Sequence, residues 1–377
     1  MQSSTPGPSH PRPDDSSPAS PAPLPVSVSS SDSGGQPAVT DRPAYQRKGS
    51  QAEVPRQMPA VTYSDYGDPD QLQFTTVPTP RPKRRQALIR VEFASVNPID
   101  ARLRAGEAKY MLPGGFPRIP GFDVAGTVIQ AGDECRWAPG TRVLAFLDNF
   151  YGGGYASYAV AGNEAIAAIP DSMPASDAAA LPLAGSTALQ CLRDYGKLRP
   201  GMQVLINGGS GGVGAFAIPI AVAGGAHVTA VSSGTNESFC RSLGANDFID
   251  YHVKDFTTDK RRYDLIFDAA GKSSYREAQS ALTENGRYVT TEPSLRSLGW
   301  MLWTRLQQKQ ATPMLARAKT ADLRQLVTLY QEDQLRVTIA KTFQLADAAR
   351  AHERLEAGVG RGKLILQVAR ELSPQPT

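Results

Sequence analysis

The chain has 377 residues, 41% of them hydrophobic and 20% charged, with 40 Lys+Arg against 36 Asp+Glu. This is the composition of a globular protein of two or three domains, and its small positive excess, with no basic block beyond Lys83-Arg84-Arg85, argues against a nucleic-acid partner. No apolar run reaches the length of a membrane-crossing helix, and three scattered cysteines give neither a disulfide framework nor a C-x-x-C pair, so a cytoplasmic location without a membrane partner is expected.

Residues 1–58 are rich in Pro, Ser and Gly and poor in large apolar side chains. Such a segment cannot bury enough surface to offset its ordering entropy, and a disordered tail is expected. Asp14 and Asp15, with almost no early arginine, argue against a mitochondrial transit peptide. From Ala60 the texture changes. Val61–Tyr63, Leu72–Val77, Ala87–Ala94, Gly121–Gln130 and Arg142–Phe146 read as short strands, with a helix around Asp100–Ala105. Ala175–Ala180 reads as a helix, and Pro182–Thr187 as a turn into a longer helix reaching Tyr195.

The most informative stretch runs from Gln203 to Gly214. Val204, Leu205 and Ile206 suit a strand buried on both faces of a parallel sheet. Glycines at 208, 209, 211, 212 and 214 follow, then an apolar helix from Ala215 to Ala223. The spacing Gly208-x-x-Gly211-x-x-Gly214 is a variant of the dinucleotide fingerprint. One glycine makes the tight turn, one admits a pyrophosphate, and one lets helix and strand pack closely; amides at the helix start then meet the phosphates. Gly208, Ser210, Gly211, Gly212, Val213 and Gly214 are the candidate phosphate contacts. Pro219 is expected to kink the helix that follows.

Beyond the loop, strands at His227–Val231, Asp247–Asp250, Tyr263–Asp268 and Gly286–Thr291 alternate with helices near Glu237–Leu243 and Tyr275–Leu282. Alternation of this kind gives a parallel sheet covered by helices. Leu298–Gln308 reads as irregular or helical, with Trp300 and Trp303 lining a substrate cleft, a dimer contact or the core. Ala321–Tyr330 and Ala346–Glu356 read as helices, and Arg336–Phe343 and Lys363–Val368 as strands.

Six motifs, in order, give the chain a resemblance from about residue 60 to 369. They are Val96-Asn-Pro-Ile-Asp100, Pro120-Gly-Phe-Asp-Val-Ala-Gly126, Ala180-Leu-Pro-Leu-Ala-Gly-Ser-Thr-Ala188, Ile206-Asn-Gly-Gly-Ser-Gly-Gly-Val-Gly214, Ser242-Leu-Gly-Ala-Asn-Asp-Phe-Ile-Asp-Tyr251 and Arg361-Gly-Lys-Leu-Ile365. Together they resemble the medium-chain dehydrogenase/reductase superfamily, in its zinc-free quinone-oxidoreductase-like branch. The resemblance implies an α/β protein: a GroES-like β domain over 59–182, a Rossmann doubly wound parallel sheet over 183–318, and a return to the first domain over 319–377. It also implies an active-site cleft between the two domains and a possible homodimer.

Zinc-dependent relatives carry Gly-His-Glu where this chain has Gly121-Phe122-Asp123, and a cysteine ligand where it has Asn97. Phenylalanine cannot ligate a metal, and His10, His227, His252 and His352 lie far from these positions in the sequence. No metal site is therefore expected. Without a Lewis acid, reduction of a polarised acceptor, a quinone or an α,β-unsaturated carbonyl, is favoured over alcohol oxidation. An enoyl-thioester reductase and a non-catalytic NADPH-binding redox sensor stand as alternatives.

The cofactor expected is NADPH rather than NADH. An NAD site usually has an acidic residue about 20 positions past the glycines. Here Ser232, Ser233 and Asn236 stand near that point and no carboxylate appears before Glu237. The resemblance places Tyr251 against the 2′-phosphate, although the arginine common in relatives is missing at 235 and 236. It also brings Asn97, Thr187 and Lys363 toward the nicotinamide end. Each could instead be a turn or capping residue, with the functional role favoured for Asn97 even though Asn97 before Pro98 is a natural turn. Tyr110 could donate a hydrogen bond to the substrate oxygen. Asp100 reads as a helix cap.

Overall fold

The computed structural model describes residues 54–107, 109–110, 115–149, 151–258, 261–358 and 360–368. An antiparallel ribbon opens it, β1 (Gln57–Thr62) against β2 (Gln73–Pro78). Next come β3 (Gln86–Val96), α1 (Pro98–Ala105), β4 (Asp123–Ala131), β5 (Arg142–Phe146), β6 (Tyr158–Gly162) and β7 (Ile166–Ala168). Two helices, α2 (Ala175–Ala180) and α3 (Pro182–Gln190), lead into the second half, α3 running on into a π-helical turn at Cys191–Tyr195. There β8 (Gln203–Asn207), α4 (Gly214–Ala223), β9 (His227–Ser232), α5 (Glu237–Ser242), β10 (Asp247–Asp250), β11 (Tyr263–Asp268), α6 (Tyr275–Ala278), β12 (Leu282–Thr290), α7 (Leu295–Thr304) and β13 (Gln310–Pro313) follow one another. The described chain ends with α8 (Thr320–Gln331), β14 (Ile339–Gln344), α9 (Ala348–Glu356) and β15 (Lys363–Gln367).

The second half is a six-stranded sheet in the order β10-β9-β8-β11-β12-β13, parallel at every pairing. This is the doubly wound order, and it puts β8 in the middle. Val204, Leu205 and Ile206 of β8 are all fully buried, because helices cover both faces. The first half is the GroES-like domain, a sheet in the order β14-β15-β3-β4-β5-β7 with β6 also on β3. Its pairings are antiparallel except between β14 and β15. The end of the described chain closes this sheet: Leu364 pairs with Val96 and Ile365 with Ser95.

The segment expected as a disordered tail lies outside the described residues up to 53. Its last part does not fit that expectation, since β1 begins at Gln57 and Met58 is buried. Strands β6, β7 and β13 are additional to those expected. Leu295–Thr304 is helical, and α4 continues past Pro219, which is buried within it. Among the described residues no helix is long and apolar enough to cross a membrane.

Ile365 is fully buried in the core that also holds Ala179, Leu189 and Phe216, so β15 is pinned by packing as well as by its ladder. Ile365→Ala should cost about 2–5 kcal/mol. A fall in the urea midpoint for the β-domain signal checks this; an unchanged midpoint would mean that β15 is held by its backbone alone.

Candidate active site

The loop between β8 and α4 is built as its glycine spacing requires. The amides of Gly208 and Gly209 both donate to Val231 O at 3.0 Å, which ties the turn to β9. Gly208 has φ +87°, a conformation that favours glycine, and a side chain at Gly214 would collide with the carbonyl of Gly208. A side chain at Gly211 would meet nothing nearer than 3.4 Å, so this face of the turn is open. The amides of Gly212 and Val213, at the mouth of α4, have no acceptor among the described residues. Open space, unpaired N–H groups and a helix N-terminus together fit a diphosphate.

At the end of β9 a polar nest forms beside this loop. Ser210 Oγ and Ser232 Oγ lie 2.8 Å apart. Asn236 Nδ2 donates to Ser210, Ser232 and Ser233 hydroxyl oxygens at 3.0–3.3 Å. Tyr251 is half exposed at the rim, its amide bonded to Ser232 O at 3.2 Å. The cation that sequence reading found missing at 235 and 236 comes from elsewhere. Arg361 Nε donates to Asn236 Oδ1 at 2.9 Å and Arg361 Nη2 to Thr235 O at 2.6 Å, with the guanidinium 5.7 Å over the Phe239 ring. Arg361 was legible only as part of a motif; 125 residues separate it from Asn236.

On the other side of the loop the chain buries a cluster of charges. Lys363 lies against the loop, its Cδ 3.2 Å from where a Cβ on Gly212 would stand. Lys363 Nζ donates to Asn97 Oδ1, and Asn97 Nδ2 to Asp123 Oδ2 at 2.9 Å. Asp123 also accepts from Ser95 Oγ at 2.7 Å and from the Leu183 amide at 2.8 Å. Asp100 does cap α1, accepting the Asn97 amide at 2.8 Å, but it also accepts Gly121 N–H at 3.0 Å and is 1% exposed. Behind it Tyr155 OH stands 3.4 Å from Asp100 and 3.1 Å from His352 Nε2.

Burial governs the charges here. It raises Asp100 to about 7, helped by Asp123 and opposed by the amides of Asn97 and Gly121. It raises Asp123 as well, against the pull of Lys363, and lowers Lys363 against the pull of both carboxyls. It holds His352 down at about 3, with Arg104 adding to the effect. His352 is therefore neutral at any ordinary pH and bonds to Tyr155 as a neutral ring.

Two expected site residues stand apart. Thr187 is buried on α3, but its hydroxyl donates to Leu183 O at 2.7 Å. Tyr110 is 93% exposed, with Lys109 over its ring at 5.1 Å, and is not brought to the Asn97 cluster. Across the cleft Arg102 of α1 meets Glu292 at 2.7 Å. Glu292 also lines a cavity of about 180 Å³ against β12 and β13, with Tyr275, Tyr288 and Trp300 among its walls. Trp303 instead faces outward. Among the described residues no group of three or more His, Cys, Asp or Glu side chains is placed to hold a metal ion.

Comparison with known proteins agrees with this layout. Residues 83–171 match the family model described as alcohol dehydrogenase GroES-like domain, and residues 243–366 that described as zinc-binding dehydrogenase. A quinone-oxidoreductase homolog, chloroplastic, of Spinacia oleracea is 33% identical over 323 residues, covering 82% of this chain and 98% of its own length. The chain belongs to the medium-chain dehydrogenase/reductase superfamily, in its quinone-oxidoreductase-like branch. It is an oxidoreductase. An NADPH-dependent alkenal/one oxidoreductase, chloroplastic, of Arabidopsis thaliana is 34% identical over 254 residues, 63% of each chain. The solved structure of the quinone oxidoreductase from Coxiella burnetii superposes with a TM-score of 0.76 at 33% identity, covering 83% of this chain and all of its own.

The buried Lys363 bonds to Asn97 and Val96 rather than to a carboxyl, and its charge favours the ionised form of both Asp100 and Asp123. Lys363→Met should cost about 3–5 kcal/mol. The two carboxyls would then favour the protonated form still more. A carboxyl whose folded pKa lies above its unfolded value loses stability as pH rises. Thermal midpoints of the variant should therefore fall further below the parent at pH 8 than at pH 6; an equal deficit at both would contradict the charge assignment.

Proposed function

We propose that the chain is an NADPH-dependent, zinc-independent reductase of quinones or α,β-unsaturated carbonyls. The observation that carries the cofactor half is the nest at the end of β9. Ser210, Ser232, Ser233 and Asn236 offer small polar groups, and Arg361 supplies the positive charge that a 2′-phosphate requires. A carboxylate there would repel that phosphate, and none of these five residues has one. The glycine turn with the Gly212 and Val213 amides fits the diphosphate, and Lys363 and Asn97 fit the nicotinamide side of the same groove.

When bound, the dinucleotide supplies the hydride; the protein's part is binding, orientation and electrostatics. Asn97 is held at three points, by Lys363, Asp123 and Asp100, and is buried, so it acts by fixing Lys363 beside the loop. The residues at the metal-ligand positions of zinc-dependent relatives are Asn97 and Phe122, which supports chemistry without a Lewis acid. The quinone and alkenal/one names of similar proteins support a polarised, conjugated acceptor. For the homodimer, the edge strand β13 and exposed Leu298, Leu302 and Trp303 on α7 offer a fitting face.

Stopped-flow oxidation of NADPH against a panel of quinones and enones tests the acceptor class, on protein dialysed against a chelator. Turnover on at least one conjugated acceptor is expected, and turnover that returns only with added metal would overturn the zinc-free reading. Arg361→Ala should weaken NADPH by about 10- to 100-fold, the loss of one charged hydrogen-bonding partner, while leaving NADH nearly unchanged. Asn236→Asp should shift preference toward NADH, since the carboxylate would pair with Arg361 and face the phosphate. Equal losses for both nucleotides in either variant would move the phosphate pocket elsewhere.

A further inference from the structure

The cluster beside the phosphate loop holds two carboxyls and one ammonium, all buried. Asp123 is tied down by three donors: Ser95 Oγ, Asn97 Nδ2 and the Leu183 amide. Asp100 has only the Asn97 and Gly121 amides and the distant Tyr155 hydroxyl. The single ammonium of Lys363 cannot balance both carboxylates in a low-dielectric site, so one of them carries the excess charge. The groups that face Asp100 and its neighbours are Asp123 from β4, Lys363 from β15, Tyr63 just after β1, Tyr155 from the loop before β6, neutral His352 from α9 and, on its own helix, Arg104, which acts on Tyr155 and His352. Burial moves His352 down and the Tyr63 and Tyr155 hydroxyls up, away from neutrality. It raises Asp123 and lowers Lys363, however, so the Asp100→Asn variant is what separates Asp100 from these two.

An oxidised nicotinamide ring carries one more positive charge than a reduced one. Resting on the reading that the ring lies by Asn97 and Lys363, we propose that Asp100 is a redox-linked proton site: it holds a proton while the reduced dinucleotide is bound and releases it when the oxidised form takes its place. The carboxyl's charge thereby follows that of the ring. Burial of Asp100 sets the scale, because it keeps protonated and ionised forms close in free energy near neutral pH. Asp100 acts through the field and through Asn97, whose amide it holds, and is a positioning residue. No covalent step is involved: one proton leaves for solvent as the oxidised form binds to the protonated protein.

The test is the affinity of the full chain for NADP⁺ and NADPH between pH 5.5 and 8.5, by titration calorimetry in two buffers of different ionisation enthalpy. Ionisation of the 2′-phosphate affects both nucleotides alike, so the ratio of their affinities isolates the ring. That ratio should shift toward NADP⁺ by roughly tenfold as pH rises through neutrality, the equivalent of one unit between Asp100 in the two complexes. Proton release near pH 7 should accompany NADP⁺ binding and be absent or reversed for NADPH. Asp100→Asn should flatten the ratio and abolish the difference in proton release. Parallel pH profiles for both nucleotides in the unaltered protein would overturn the inference while leaving the proposed function intact. Failure of either nucleotide to bind would instead overturn the proposed function.

Discussion

The ladder between β15 and β3 carries the site. These two strands lie 267 residues apart at the Lys363–Val96 contact, yet their pairing sets both ends of the groove. Lys363 begins β15 and so reaches Asn97 at the end of β3. Two residues earlier Arg361 reaches Asn236, and between them the Gly362 amide donates to Ser210 O at 3.2 Å. One short segment thus touches the phosphate loop, the polar nest and the buried charge cluster. Leu364, Ile365 and Leu366 bury its continuation, so burial of apolar surface holds the segment in place.

The phosphate loop was legible because its chemistry is local. The apolar run before Gly208, the glycine spacing and the apolar helix after it all lie within some twenty residues, and each constrains the backbone directly. Strands such as β9 and β11 were legible for the same reason, as buried apolar runs between turns. The edge strand β13 was not, because Gln310–Pro313 is four residues long and lacks alternation. Nor were β6 and β7, where alanine and glycine leave little pattern to read.

The groups around the groove were harder to read. Arg361 leaves no signal near Asn236, and only the folded return brings them together. Asp100 was readable as a cap because capping is set by the spacing to Asn97. Its burial beside Asp123 and Lys363 depends on three separated strands and loops, and no local pattern encodes it. Tyr110 is the reverse case: its position after α1 suggested a role, and the structure leaves the ring in solvent. The rule that separates these outcomes is contact order. Features made by neighbours in sequence could be read from the residues. Of those made by the return of β15, the family resemblance implied the return and Lys363 near Asn97, but not Arg361 at Asn236 or the burial of Asp100.

The bridge between Arg102 and Glu292 spans the two halves at the mouth of the cleft, and both side chains remain roughly two-fifths exposed. A pair so open to water contributes at most about 1 kcal/mol and weakens as salt rises. It therefore behaves as a soft clasp rather than a lock. The clasp can open without disturbing the apolar core that the two halves share, and ionic strength becomes a handle on how often it does.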